Sequence, residues 1–180
     1  MNWIQTYDGQ DFYPENPDTN KILERTIAVV LSRLARFGGH TKGSYSVAEH
    51  SIHVYSLVKT PELKLPALLH DAHEVYTGFG DVCSPSKQFA PKLKELEYKI
   101  DGVIAEKFGF DHRLFYAKEI KHADLVMLAT EKKFLMKPET VPWIDMPDPL
   151  PVMPILNGNQ TLVGEFLFIL NYLVLRMVKV

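Results

Sequence analysis

A histidine and an aspartate stand side by side, His70 and Asp71, inside the otherwise apolar stretch Leu68-Leu69-His70-Asp71-Ala72-His73-Glu74-Val75-Tyr76. Burying such an ionisable pair costs several kcal/mol unless something compensates, and a metal ion is a ready compensation for an imidazole beside a carboxylate. Whatever fold the chain adopts must then bring further ligands to this stretch from other segments.

The apolar pattern suggests where those segments lie. Trp3 to Tyr7 and Gln10 to Tyr13 alternate around Asp8-Gly9, which predicts a small hairpin with a two-residue turn. Ile22, Leu23, Ile27, Val30, Leu31 and Leu34 recur at helical spacing up to Phe37, where Gly38-Gly39 ends the helix. Ser46 stands three residues before Glu49, a capping-box pattern, and Val47, His50, Val54 and Leu57 share one face of the helix it starts. Pro61 opens a helix that Leu65, Leu68, Leu69, Ala72 and Val75 carry to Thr77-Gly78. Gly78, Gly80 and Pro85 predict a loop after it, followed by an amphipathic helix from Pro91 to Phe108 that Gly109 stops. Another helix runs from about Tyr116 to Met136, with one acid, Asp124, in its apolar middle. The proline-rich segment from Lys137 to Pro154 predicts an extended loop pinned by Trp143, and Thr161 to Val178 a closing helix. The fold class is therefore mainly α, a helical bundle with a small N-terminal β-hairpin.

Length and composition fit one such unit. A chain of 180 residues with 46% hydrophobic and 23% charged residues fills one core and is short for two, so residues 1–180 are expected to form a single domain. The net charge of -2 gives no electrostatic basis for a nucleic-acid partner. The single cysteine, Cys83, excludes an internal disulfide and a cysteine-based zinc site, and its expected role is that of a small buried hydrophobe. No leader pattern opens the sequence, and the apolar run from Leu162 is broken by Gly164, Glu165, Asn171 and Arg176, against the ~20 apolar residues of a membrane span. A cytoplasmic protein with no membrane partner is expected.

Adjacent helix positions are turned by about 100°, so His70 and Asp71 can both reach an ion only in a groove between helices. Glu74 lies one turn on, placed to hold a water without being a ligand. The polar residues that interrupt the apolar faces of other helices, His50 and Asp124, are the candidates for the remaining ligands. Two imidazoles and two carboxylates with open positions suit Co, Mn, Zn, Fe or Mg, and ligand type alone does not choose among them.

Beyond these residues, the runs Trp3-Ile4-Gln5-Thr6-Tyr7, Arg36-Phe37-Gly38-Gly39-His40, Tyr45-Ser46-Val47-Ala48-Glu49-His50-Ser51, Leu69-His70-Asp71-Ala72-His73-Glu74 and Lys121-His122-Ala123-Asp124-Leu125 carry a resemblance. Over Trp3 to about Leu128 the sequence resembles the HD-domain metal-dependent phosphohydrolases. Within them it is similar to bacterial 5'-deoxynucleotidases and to phage-encoded relatives that include dATP triphosphohydrolases, which would act in the host cytoplasm. The resemblance implies a divalent metal held by His50, His70, Asp71 and Asp124, with Glu74 orienting or deprotonating the attacking water and Arg36 holding the phosphate. It implies a deoxynucleotide substrate, either a monophosphate or a triphosphate, and a homo-oligomer, dimer or higher. Two departures stand out. Phe37 occupies the place of a family tryptophan that packs against deoxyribose. Asp81 matches an acid that protonates the leaving group or contacts the sugar, but Phe79-Gly80 is inserted before it.

Blander roles compete with these. His70 with Asp71 alone would fit a buried hydrogen-bonded pair, and His50 or Asp124 alone a satisfied core polar group. His40 and Lys42 follow Arg36 closely and are read either as phosphate contacts or as ordinary polar loop residues; His53 and His73 as metal-site partners, bases or surface histidines; Lys121 and His122 as facing the phosphates or, more simply, as a solvated helix face. The apolar stripe of the last helix serves as core or as a dimer seam. At the level of function, the alternative is a non-catalytic metal- or nucleotide-binding module, against which the presence of Glu74 and Arg36 speaks; structural zinc, which prefers cysteines, is a weaker option.

Overall fold

The computed structural model describes residues 2–156 and 161–177. It is mainly helical, with a two-stranded antiparallel hairpin at the N-terminus. Strands β1 (Ile4–Gln5) and β2 (Asp11–Phe12) pair Ile4 with Phe12 and Gln5 with Asp11. The turn is one residue longer than the Asp-Gly pair predicts. Thr6 N–H donates to Gln10 O at 2.9 Å, leaving Tyr7, Asp8 and Gly9 as a three-residue loop with Gly9 at φ +79°, a conformation glycine adopts at no steric cost. The hairpin delivers Phe12 to the core, where its ring lies 4.7 Å from that of Tyr76.

Helix α1 spans Glu24–Leu31 and stops well short of Phe37. A non-local pairing competes with it: Ala35 bridges Ser46, and Arg36 N–H donates to Tyr45 O at 3.0 Å. The backbone leaves the helix to make those bonds, then turns sharply through Arg36–Gly39. Helix α2 (Val47–Leu57) begins at Ser46 with both halves of the capping box formed, worth about 1 kcal/mol at its N-terminus.

The helix expected from Pro61 to Thr77 is interrupted. A 3-10 turn at Pro61–Leu63 leads into α3 (Lys64–Leu69), and α4 (Glu74–Thr77) follows only after the turn that carries His70, Asp71 and His73. Through that turn the bonds tighten to three-residue spacing: Ala72 N–H to Leu69 O, Glu74 N–H to Asp71 O, and Tyr76 N–H to His73 O. At three residues per turn, side chains three apart stack above one another. Gly78, at φ +78°, closes α4.

Helices α5 (Ser84–Lys87), α6 (Pro91–Phe108), α7 (Lys118–Leu135) and α8 (Leu162–Met177) complete the fold. Cys83, expected inside, is exposed in the loop before α5, which gives it no apolar pocket to fill. Phe166, Leu170 and Leu173 of α8 are buried at helical spacing, while Phe168, Tyr172 and Leu175 face outward; Val178, the predicted end of this helix, lies outside the described residues.

The core has two parts. The larger joins α1, α2, α3, α6 and α8 through Ile27, Leu31, Val47, Leu68, Ile104 and Phe166. The smaller lies under α7, where Val54, Val58, Ala67, Ile120, Ala123 and Met127 meet Leu150 and Met153 of the non-helical segment. Leu150 N–H also donates to Thr130 Oγ1 at 2.9 Å, so that segment is anchored by Leu150 more than by Trp143, which is a third exposed. Helix α2 packs against α3, α7 and α8, and the polar gap between α2, α7 and the turn at 70–73 is where the chemistry gathers. No helix among the described residues is long and apolar enough to cross a membrane.

Candidate metal centre

His50 enters from the fourth position of α2 and is fully buried. Its Nδ1 lies 2.6 Å from Glu131 Oε1. A carboxylate only accepts, so Nδ1 carries the hydrogen and Nε2 points onward. Nε2 is 3.1 Å from Asp124 Oδ1 and 3.7 Å from Asp71 Oδ2, yet neither is aligned for a hydrogen bond. Groups that face a common point rather than each other have this geometry.

His70 repeats the construction. Its Nδ1 donates to Ala67 O at 2.9 Å, and its buried Nε2 has no hydrogen-bond partner although Asp71 Oδ2 is 3.2 Å away. The two rings stand 5.2 Å apart. Ligand atoms of His50, His70 and Asp71 all lie within 4.8 Å of one another, and Asp124 adds its carboxylate beside His50. Two buried imidazole nitrogens left without partners around two carboxylates fit a divalent cation by the chemistry of the donor set.

Charge follows this arrangement. Burial opposes ionisation of Asp71, but His70, His50 and Arg36 outweigh it and hold the carboxyl well below its ordinary range. For His50, burial and Arg36 oppose a proton, while Glu131 and Asp124 favour it and push the imidazole up to about 10. Glu74, buried and with Oε2 unpartnered, is pushed up to about 9 by burial and by Asp71 and Asp81.

Arg36 forms the adjoining wall. Its Nη2 is 3.3 Å from Glu131 Oε2, and its Nη1 is 3.7 Å from Asp71 and 3.8 Å from Asp81. Burial disfavours its charge, but Glu131, Asp71 and Asp81 more than restore it. Asp81 reaches the site from the loop after α4: its Oδ2 accepts Phe37 N–H at 3.1 Å, and burial raises its carboxyl above the ordinary value. Phe37 sits at φ +54°, a left-handed conformation that bulky residues rarely adopt. Its ring lies 5.2 Å from the Arg36 guanidinium and 6.4 Å from Trp143.

Of the residues expected from sequence, Arg36, Phe37, His50, His70, Asp71, Glu74, Asp81 and Asp124 thus come together. His40 is exposed, with no hydrogen bond to the cluster among those described. Lys42 reaches instead toward Phe134 O at 3.4 Å, and Lys121 and His122 are exposed on α7. His53 and His73 are not surface residues: both are buried, His53 stacked against Tyr45 and His73 bound to Asp101.

Glu131 was not singled out by the sequence, although it ties the site together by accepting from Tyr45 OH at 2.9 Å as well as from His50 and Arg36. Its position, seven residues after Asp124 on the same helix, is the signal that could have found it: two turns put both on one face.

No family model matches the chain. It is 41% identical over 135 residues to an uncharacterized protein of Escherichia coli (strain K12), YfdR, an alignment that spans 75% of this chain and 73% of that protein. The chain belongs to the same family as YfdR.

Proposed function

We propose that this protein is a metal-dependent phosphohydrolase of the HD-domain type that acts on deoxynucleotides. The observation that carries this reading is the convergence of the free imidazole nitrogens of His50 and His70 on Asp71, with Asp124 beside His50 and with Arg36 and Glu74 at the edge of the same gap. A divalent cation held by those four residues would acidify a water and polarise a phosphoryl oxygen.

The chain's own groups supply the rest. Arg36 meets the phosphate; its guanidinium is already charged and oriented by Glu131, and it exchanges its long contacts to Asp71 and Asp81 for phosphoryl oxygens. Glu74, once ionised, accepts the proton of the attacking water as the oxygen bonds to phosphorus. Asp81, whose carboxyl is raised by burial, is placed to give a proton to the departing oxygen as the old ester bond breaks. Phe37 with Trp143 offers an aromatic wall for sugar or base.

Two products discriminate the substrate. A 5'-nucleotidase frees inorganic phosphate from a deoxynucleoside monophosphate; a triphosphohydrolase frees intact triphosphate from a deoxynucleoside triphosphate. Metal-stripped protein incubated with both panels, with and without Mn, Co, Mg and Zn, is expected to release one of these only when metal is present. Metal uptake with no product from either panel would replace the hydrolase with a binding module.

A further inference from the structure

The residues proposed to act on substrate leave one buried imidazole unused. His73 is 7% exposed. Its Nδ1 lies 2.9 Å from Asp101 Oδ1, and the other oxygen of Asp101 accepts Tyr116 OH at 2.9 Å. The hydrogen is thereby fixed on Nδ1, and Nε2 is left buried without a hydrogen-bond partner, with Glu97 Oε1 3.8 Å away. One residue on, Glu74 is 4% exposed, and its Oε2 is likewise buried and unpartnered.

The residues that carry these orphaned atoms are not scattered. Ligand atoms of Asp71, His73 and Glu74 all lie within 4.8 Å of one another. The tightened turn accounts for this, since three-residue spacing stacks Glu74 on Asp71. An imidazole pinned through one nitrogen by a carboxylate, with the other nitrogen free, is the arrangement that metal-ligating histidines take. His50 has the same construction with Glu131 in place of Asp101.

We propose that Asp71, His73 and Glu74 form a second divalent-cation site that shares Asp71 with the first. The inference rests on the metal centre of the proposed function and makes that centre a pair of ions. One nitrogen and two carboxylates suit Mn, Co, Fe or Zn. Lys87 guards the site: its ammonium pairs with Glu97 at 2.9 Å, and its charge bears on Asp71 and Glu74. Its positive charge, held beside His73 by Glu97, opposes a second ion and weakens that ion's binding. Glu74, in the doubly loaded form, is a ligand as well as a neighbour of the water.

Manganese titration of the metal-stripped 180-residue chain tests this, with bound metal counted by mass spectrometry and ion coupling read by electron paramagnetic resonance. Two Mn per chain are expected, the second weaker than the first. Ions that share a carboxylate lie about 3.5–4 Å apart in two-metal sites, so saturation should give an exchange-coupled spectrum. His73→Gln should leave one uncoupled Mn. Lys87→Met, at a partly exposed position, should tighten the second ion, and Asp101→Asn should weaken it about 10- to 100-fold. A single Mn in the unaltered protein, lost in His50→Gln and kept in His73→Gln, would overturn the second site and leave the proposed function standing. A single Mn lost in His73→Gln and kept in His50→Gln would overturn the first centre and the pair with it. A second ion whose affinity ignores both Lys87→Met and Asp101→Asn also overturns the proposal.

Discussion

Helix α2 and the turn at residues 70–73 both deliver candidate ligands to the same gap, and they do so in opposite ways. Helix α2 is regular, capped at Ser46, and contributes one candidate ligand, His50, from its buried face. The turn is a break between α3 and α4 and places His70, Asp71, His73 and Glu74 around the gap within five residues. A regular helix presents a given face only every third or fourth residue. A chain that must concentrate polar groups at one point does better to tighten its helix there, and the cost is recovered by packing on either side, where Leu68, Leu69, Ala72 and Tyr76 are all fully buried.

The largest effect should come from the turn. Asp71→Ala removes the carboxylate that His70, His50 and Arg36 all face and is expected to abolish metal uptake and turnover in the assay above. Activity that survived it would show that α2, not the turn, organises the site.

The second test concerns α2 and acid. His53 is buried one turn beyond His50, and burial, together with the charge on His50, lowers its imidazole to about 4. A histidine whose folded value lies below its unfolded 6.5 costs nothing above that pH. As pH falls from 6.5 toward 4 the unfolded chain takes up the proton first, and stability drops, by about 3 kcal/mol for a shift of this size. Denaturant unfolding of His53→Gln should show a shallower loss across that window than the parent protein; equal slopes would remove His53 from the acid response.

Glu131→Gln ranks next. It leaves α2 and the turn in place but loosens the hold on His50, and metal affinity should fall about 10- to 100-fold, or about 1.4–2.7 kcal/mol, in a direct titration. An unchanged affinity would mean that the helix alone orients the ring. Ser46→Ala is the smallest change. Loss of the capping box should lower unfolding stability by about 1 kcal/mol and leave metal stoichiometry untouched, because the cap serves the helix and not the gap.

The same contrast separates what could be read in the sequence from what could not. Helix α2 was legible because its signals are local: Ser46, Glu49 and the spacing of Val47, His50 and Val54. Helix α6 was legible from Pro91 to Gly109 for the same reason. The end of α1 was not, since it is set by pairing with residues 45 and 46. Nor was the break at His70, where helix-compatible residues continue on both sides and the polar centre, not propensity, decides the backbone. Glu131, followed by two lysines, has the sequence context of a solvated acid, and its burial depends on Arg36, Tyr45 and His50 arriving from elsewhere.

Phe37 turns these geometric facts into a conflict of interest. Its left-handed backbone, at φ +54° and ψ +30°, costs about 1–2 kcal/mol that a glycine would not incur. Its ring, held over Arg36 and beside Trp143, is a wall that a glycine would not provide. At this position folding and recognition ask for different residues, so a variant selected for heat resistance and one selected for substrate choice should part company at residue 37.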